Sequence, residues 1–270
     1  MSRAYICTAC GTQYPPGEAA PKACAICEDE RQYVPPGGQS WTTLDALAAR
    51  HFNVFREHEP GIIGIGAQPS FAIGQRALLI RTPNGNVLWD CIAMLDKATV
   101  ELINGLGGLK VIAISHPHFY TTMVEWSRAF GDVPVHLHAA DREWVMRPDK
   151  AIRHWDGETL QLLPDVTLIR GGGHFPGGTM LHWAKGAGGR GVVCSADIAT
   201  ITTDRKYLTF MKSYPNFIPL SEREVRGIAA ALQPFAYDTM YGHFFDRVIA
   251  TGAKRVLDVS VERYVKAIRG

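Results

Sequence analysis

Short apolar runs, separated by residues that favour turns, recur along most of the chain and predict many strands. Runs of about four to eight apolar residues between Gly, Pro and Asn are typical of strands that are buried. The sequence Pro83-Asn-Gly-Asn86 predicts a turn that joins two of them. The predicted strands cover residues 61–65, 71–73, 77–82, 87–90, 111–115, 133–137, 160–163, 166–170, 179–183, 191–194 and 235–240.

Apolar residues at helical spacing predict helices between these strands. Ser221 is followed three residues later by Glu224, which is a capping-box pattern and predicts the start of a helix. The predicted helices cover residues 41–58, 98–106, 121–130, 141–146, 221–233 and 253–268. Strands come in meanders in each half with helices interposed, so we expect an α/β chain with two sheets that carry helices on their outer faces.

Composition narrows the classes of partner. A formal net charge of +2 over 270 residues gives no electrostatic basis for binding nucleic acid or an anionic membrane. No apolar run approaches the ~18 residues of a membrane span, and the N-terminus lacks the apolar region of a signal peptide. We therefore expect a cytoplasmic protein that acts on a small molecule, in a compartment where thiols stay reduced.

Four of the six cysteines follow the spacing C-x2-C-x13-C-x2-C. Two such pairs can bind one metal tetrahedrally, and a four-thiolate site has no open position, so it is structural. The segment resembles zinc ribbons and rubredoxins. Zinc is the expected metal, and iron is the alternative. The other interpretation is that the four cysteines are unrelated or form two redox pairs. Pro35-Pro-Gly-Gly38 predicts the boundary between this module, residues 1–38, and a domain at 39–270. The predicted ligands are Cys7, Cys10, Cys24 and Cys27.

Two histidines flank a proline directly after the predicted strand at 111–115. On an extended segment, His116 and His118 would point their imidazoles to the same side, and Pro117 would stiffen the pair. Neutral imidazoles are preferred zinc ligands. The sequence therefore predicts the start of a metal site.

Three further residues that can bind metal also stand just after predicted strands: His174, Asp197 and His243. Loops at one end of the strands of a layered fold converge, and ligands gather there. Glycines before His174 and His243 would allow sharp turns. Each residue alone is weak evidence, but five in this order indicate one metal site.

With these residues in place, the chain resembles the metallo-β-lactamase superfamily over roughly residues 60–260. The resemblance implies a four-layer αββα sandwich of two mixed β-sheets. It implies that His116, His118 and His174 hold a first metal. It also implies that Asp197 bridges toward a second metal, to which His243 would belong.

The chain departs from this superfamily where the H-x-H motif continues with Asp and His. Tyr120 and Thr121 stand there instead, so most ligands of the second metal are missing. We therefore expect one catalytic metal, zinc or else iron. Tyr120 is a candidate catalytic residue that would orient water or stabilise an oxyanion, although a packing role is an equal alternative.

Three functions remain open. The first is a metal-dependent hydrolase that cleaves an ester, thioester, lactone or amide with metal-bound hydroxide, in which Asp197 positions the water or takes its proton. The second is a mononuclear iron dioxygenase acting on a persulfide, with two histidines and Asp197 as a facial set. The third is a non-catalytic metal-binding protein that docks a partner. The hydrolase is the leading hypothesis.

Overall fold

The computed structural model describes residues 2–270 and consists mainly of short strands. In chain order the strands are β1 (Arg3–Cys7), β2 (Gln13–Gly17), β3 (Trp41–Thr42), β4 (Phe52–Glu59), β5 (Ile62–Gln68), β6 (Ala77–Thr82), β7 (Gly85–Trp89), β8 (Val111–Ala113), β9 (Val135–His138), β10 (Ile152–Trp155), β11 (Thr159–Leu163), β12 (Val166–Arg170), β13 (Thr179–Trp183), β14 (Val192–Ala196), β15 (Thr200–Ile201), β16 (Leu208–Thr209), β17 (Met211–Ser213), β18 (Ile218–Pro219), β19 (Thr239–Gly242) and β20 (Val248–Ile249).

Helices are fewer and lie between the strands. They are α1 (Ala25–Glu28), α2 (Leu44–Ala48), α3 (Lys97–Gly105), α4 (Met123–Ala129), α5 (Gly186–Gly189), α6 (Glu222–Leu232) and α7 (Ala253–Arg269), with 3₁₀ turns at Pro117–Phe119 and Ala139–Trp144. Among residues 2–270, none of these helices combines the length and apolar character that crossing a bilayer requires.

The chain divides into two compact units. The first comprises residues 2–137 and 141–154 and contains the three-stranded sheet β2-β1-β3 and the seven-stranded sheet β10-β9-β8-β7-β6-β5-β4. The seven-stranded sheet is mixed, because β8 pairs parallel with β7 and β9 while β4 to β7 form an antiparallel meander. The N-terminal 38 residues belong to this unit, and the proposed domain boundary after residue 38 stays a prediction.

The second unit comprises His138–Ala140 and Trp155–Gly270. Its six-stranded sheet has the order β11-β12-β13-β14-β19-β20 and is also mixed, because β14 and β19 are parallel. Helices α6 and α7 bury Val225, Ile228 and Leu257 against apolar side chains of this sheet. The predicted α/β class with two mixed sheets is confirmed.

The predicted helix at 41–58 is wrong over most of its length. Only Leu44–Ala48 is helical, capped by the Thr43 side chain, which accepts from the Ala46 N–H. The rest forms β3 and the long strand β4. Phe52, Val54 and their neighbours pair with β5 over seven positions, and this ladder outweighs the weak helical spacing of the apolar residues.

Other local predictions fare better. The turn at Pro83-Asn-Gly-Asn86 joins β6 and β7, and Ser221 and Glu224 form the complete capping box of α6. The strand predicted at 71–73 is wrong, because these residues form a turn in which the Gly74 N–H donates to the Phe71 carbonyl. Turn geometry is therefore recognised more reliably from the sequence than a two- or three-residue strand is.

Candidate metal centre

The four-cysteine module brings all of its sulfur atoms together. Cys7 ends β1, Cys10 follows in the next turn, Cys24 precedes α1, and Cys27 lies within α1. The sulfur atoms of Cys7 and Cys27 are 3.6 Å apart, as are those of Cys10 and Cys24. Four zinc–sulfur bonds of about 2.3 Å in a tetrahedron separate the sulfurs by roughly 3.8 Å, so the set fits a bound metal.

The environment of the sulfurs also suits a metal. All four side chains are buried, and Trp41, Ile73 and Trp144 pack against them. Hydrogen bonding from the Cys10 thiol lowers the pKa of Cys24 to about 7, while the pKa of Cys10 itself is raised. The Gln39 side-chain amide donates to the Cys7 sulfur over 2.9 Å, a contact that stabilises a thiolate.

His116 and His118 stand at a 3₁₀ turn, whereas the sequence predicts an extended segment there. His116 is extended, but Pro117 opens the turn Pro117–Phe119, in which the Phe119 N–H donates to the His116 carbonyl. The fixed φ of proline is preorganised for such a turn. The rings of His116 and His118 are nevertheless neighbours, with centroids 5.1 Å apart.

His116 is oriented by a short hydrogen-bond chain. The Ser115 hydroxyl lies 2.9 Å from His116 Nδ1, and the Ser115 N–H donates to Asp90 Oδ1 over 2.8 Å. When Nδ1 is engaged in this way, Nε2 is the atom left for a metal. Asp90 thus acts on His116 through Ser115.

His174 is presented by two glycines with left-handed backbone. Gly172 and Gly173 have φ of 66° and 75°, and a Cβ atom at Gly173 would lie 2.8 Å from Leu220 Cδ1. His174 Nδ1 donates to the Met211 carbonyl over 3.1 Å. Since a carbonyl can only accept, the proton is on Nδ1, and the Nε2 lone pair is available to a metal.

Asp197 lies next to His174 at the end of β14. Its Oδ2 atom is 3.7 Å from His174 Nε2. The Tyr214 hydroxyl donates to the Asp197 backbone carbonyl over 2.9 Å and so fixes this loop. Burial raises the pKa of Tyr214 well above its ordinary value, and the Asp197 carboxylate raises it further, so Tyr214 is a neutral donor.

His243 is buried at the end of β19. Its Nδ1 atom donates to the Ala196 carbonyl over 3.2 Å, so His243 has the same tautomer as His174. Its neighbour Gly242 ends β19 and has no positive φ, so the bend that begins at His243 does not depend on the conformational freedom of glycine.

One ligand atom from each of four buried or nearly buried side chains lies within 4.8 Å of the others: His116, His118, His174 and Asp197. Two ligands at about 2.0–2.2 Å from a tetrahedral metal are roughly 3.4 Å apart, close to the separation of His174 and Asp197. Imidazoles and a carboxylate suit zinc or iron. His243 lies outside this group.

Tyr120 directly follows the histidine turn and is buried. Burial raises the pKa of its hydroxyl well above the ordinary value, and the nearby Asp141 carboxylate adds to this effect. Tyr120 is therefore a neutral phenol, able to donate a hydrogen bond.

Two supporting residues are not predicted from the sequence, namely Ser115 and Met211. Ser115 carries a usable signal, because a hydroxyl directly before a candidate ligand can reach its ring. Met211 acts through its backbone carbonyl, and no side-chain pattern marks that role.

Comparisons place the whole chain among known proteins. No family model matches it. It is 45% identical over 266 residues to the uncharacterised protein YmaE of Bacillus subtilis (strain 168), covering 98% of this chain and 96% of YmaE. An identity of this size over nearly both full lengths shows common family membership.

Solved structures show the fold. The metallo-β-lactamase FIM-1 from Pseudomonas aeruginosa, in a mono-zinc form, superposes with a TM-score of 0.59 at 11% identity, over 80% of this chain and 96% of that one. A metallo-β-lactamase from Cronobacter sakazakii gives 0.53 at 18% identity, over 80% and 96%. The predicted αββα class is confirmed by these likenesses. The chain thus belongs to the family of YmaE and has the metallo-β-lactamase fold.

Proposed function

We propose that the chain is a metal-dependent hydrolase with one catalytic metal ion held by His116, His118 and His174. The observation that carries this proposal is the group of four buried side chains whose ligand atoms lie within 4.8 Å of one another. The fold is that of hydrolases that are described as metallo-β-lactamases. The substrate is a small molecule with an ester, thioester, lactone or amide bond.

The protein residues have distinct roles in this proposal. The hydrogen bonds at Nδ1 of His116 and His174 hold the two rings so that Nε2 faces the site. Asp197 positions the attacking water and takes its proton, as a carboxylate general base can. A bound metal would polarise the substrate carbonyl and lower the pKa of a water molecule.

One metal, and not two, is supported by the two residues after the histidine pair. Tyr120 has a neutral buried hydroxyl, and Thr121 offers no strong ligand atom. With His243 outside the group of four, no second set of ligands is complete among the described residues. FIM-1 was solved in a mono-zinc form, so this fold accommodates a single metal in that protein.

Zinc is proposed at both sites, structural at the four cysteines and catalytic at the histidines. Four thiols without a disulfide among them fit a reducing compartment, and we propose the cytoplasm. The alternatives follow from the same ligands, because a four-thiolate site also binds iron, and two histidines with Asp197 would suit an iron dioxygenase.

Metal content tests the proposal directly. Protein purified without a metal-binding tag is expected to contain two zinc ions per chain by elemental analysis. His116→Ala/His118→Ala should retain only the cysteine-bound ion, and Cys7→Ser only the histidine-bound ion, because the two ligand sets share no residue.

Other results would favour other functions. A third metal would contradict the single-metal site. Iron at the histidines, together with oxygen uptake on a persulfide, would favour the dioxygenase. An empty histidine site in a folded chain from metal-replete medium would leave the non-catalytic alternative. His136→Ala, which alters a histidine outside both groups, is the matched control and should keep both ions.

Tyr120 is proposed to donate a hydrogen bond to the oxyanion that forms during hydrolysis. Tyr120→Phe removes the hydroxyl and keeps the ring, so kcat should fall by roughly 10²-fold with KM little changed. Steady-state kinetics on an activated aryl ester measure this. A kcat equal to that of the unaltered protein would assign Tyr120 to packing alone. Tyr5→Phe makes the same change on β1, far from Tyr120 in the sequence, and is the control that should leave kcat unchanged.

A further inference from the structure

The four-cysteine module touches the loop of the first histidine pair at Thr121. The Gln13 N–H, at the start of β2, donates to the Thr121 carbonyl over 3.1 Å. The backbone of Gly11 lies beside the same residue, since a Cβ atom there would be 3.4 Å from Thr121 Cγ2. Both contacts come from the segment between Cys10 and Cys24.

Thr121 has an unusual backbone conformation. Its φ is +32°, although it is β-branched and buried, and such residues rarely adopt positive φ. Holding this conformation is unfavourable, and it persists only where the surroundings enforce it. Its side-chain Oγ1 makes no hydrogen bond among the described residues, so the hydroxyl does not compensate.

A buried polar junction strengthens the same contact. The Gln13 amide donates to Glu125 Oε1 over 3.5 Å, and Glu125, in the first turn of α4, pairs with Arg147 Nη1 at 2.5 Å. Arg147 also donates to Gln13 Oε1. The Arg147 side chain is 7% exposed and that of Glu125 26%, so the arginine charge is buried while its carboxylate partner is partly open to solvent. Such buried charges need all of their partners.

Gln13 therefore contacts both the strained residue and the helix that follows it. One contact fixes Thr121 itself, which is three residues after His118, and the other fixes α4, which begins two residues after Thr121. Only two residues separate Thr121 from His118, and the side chains from Tyr120 to Thr122 are buried. A displacement of Thr121 would therefore also move the 3₁₀ turn that contains His118.

We propose that the four-cysteine module is a positioning element for the histidine site, acting through Gln13 and Thr121. The proposal rests on the metal site proposed above. It predicts a coupling free energy between the two metal sites, so a filled cysteine site strengthens metal binding at the histidines. The module thus has a role beyond its own stability.

The test uses full-length protein and Co²⁺ as the probe, because cobalt bound by thiolates absorbs differently from cobalt bound by histidines. Gln13→Pro removes the backbone donor and the side chain, whereas Gln13→Ala keeps the donor. Affinity at the histidines is measured by competition with a chelator. We expect Gln13→Pro to bind about 10- to 100-fold more weakly there, the range for residues that support metal ligands. Gln13→Ala should lie between this variant and the unaltered protein.

A second variant separates positioning from general damage. Glycine adopts positive φ without steric cost, so Thr121→Gly in the Gln13→Pro background should restore most of the affinity. Unchanged affinity in Gln13→Pro, or no restoration by Thr121→Gly, would overturn the proposal.

Folding and the underlying metal site are checked separately. If Gln13→Pro loses the thiolate–cobalt absorption, Arg147→Met is measured in its place, because this change leaves the backbone of the module intact. Normal cobalt affinity at the histidines of Arg147→Met would overturn the proposal, and weaker affinity would support it. If His116→Ala/His118→Ala binds as much cobalt as the unaltered protein, the proposed histidine site itself is wrong. That outcome differs from one in which the histidines bind cobalt but the Gln13 variants have unchanged affinity, which would overturn only the positioning role of the module.

Discussion

Asp197→Asn is expected to lower kcat/KM by roughly 10²- to 10⁴-fold, the range for loss of a general base. The amide has the same shape but cannot take a proton from water. Asp197 lies beside His174, with 3.7 Å between its carboxylate oxygen and Nε2. It is the one carboxylate in the group of four, so no other member of that group can act as the base. Steady-state kinetics on an aryl ester, an acyl thioester and a lactone measure the loss.

The control for this variant is Asp258→Asn, which makes the same chemical change at an exposed position of α7. It should leave kcat/KM unchanged. Metal content is measured in both variants, because a fall in bound zinc in Asp197→Asn would assign Asp197 to metal binding as well. Activity of Asp197→Asn within about twofold of the unaltered protein would remove Asp197 from the mechanism.

Cys24→Ser is expected to lower the free energy of unfolding by more than about 4 kcal/mol, as loss of a structural metal can. Zinc in small four-ligand sites supplies about 10–16 kcal/mol of apparent binding free energy, and that energy becomes folding energy. Besides the cysteines the module buries few large apolar side chains, chiefly Ile6 and Ile26. Urea unfolding followed by tryptophan fluorescence measures the change.

The matched control is Cys91→Ala, because Cys91 is equally buried but stands outside the cysteine group. Burial raises the pKa of Cys91, so it stays a protonated thiol. Its removal should cost about 1 kcal/mol. A chelator should destabilise the unaltered protein and the Cys91 variant more than it destabilises Cys24→Ser, which has only the histidine-bound ion to lose. Equal responses in all three proteins would show that the four cysteines hold no structural metal.

The residues proposed to bind metal are predictable from the sequence because their chemistry and position agree. His116, His174 and Asp197 each follow a strand, and a strand end is recognisable from its apolar run. The glycines before His174 also indicate a turn, because few residues other than glycine adopt a positive φ without strain. Local signals of this kind reach a few residues along the chain.

Contacts between distant segments are not predictable in the same way. Gln13 and Arg147 are 134 residues apart, and nothing in either segment marks the other as its partner. The helical spacing that predicts a helix as far as residue 58 misleads beyond Ala48, because the pairing of β4 with β5 is a property of the sheet. The extended geometry expected from His116 to His118 holds for His116 and is lost after it, since proline favours the first position of a 3₁₀ turn as well as an extended chain.

The closeness of Gly11 and Thr121 constrains any attempt to rebuild a two-metal enzyme on this scaffold. Histidine at position 121, where the superfamily motif has it, would extend beyond Thr121 Cγ2, which already lies 3.4 Å from the position of a Cβ atom at Gly11. Exchanging Tyr120 and Thr121 for Asp and His would therefore push against the turn after Cys10. Such an exchange would need a change in the cysteine module as well as in the motif.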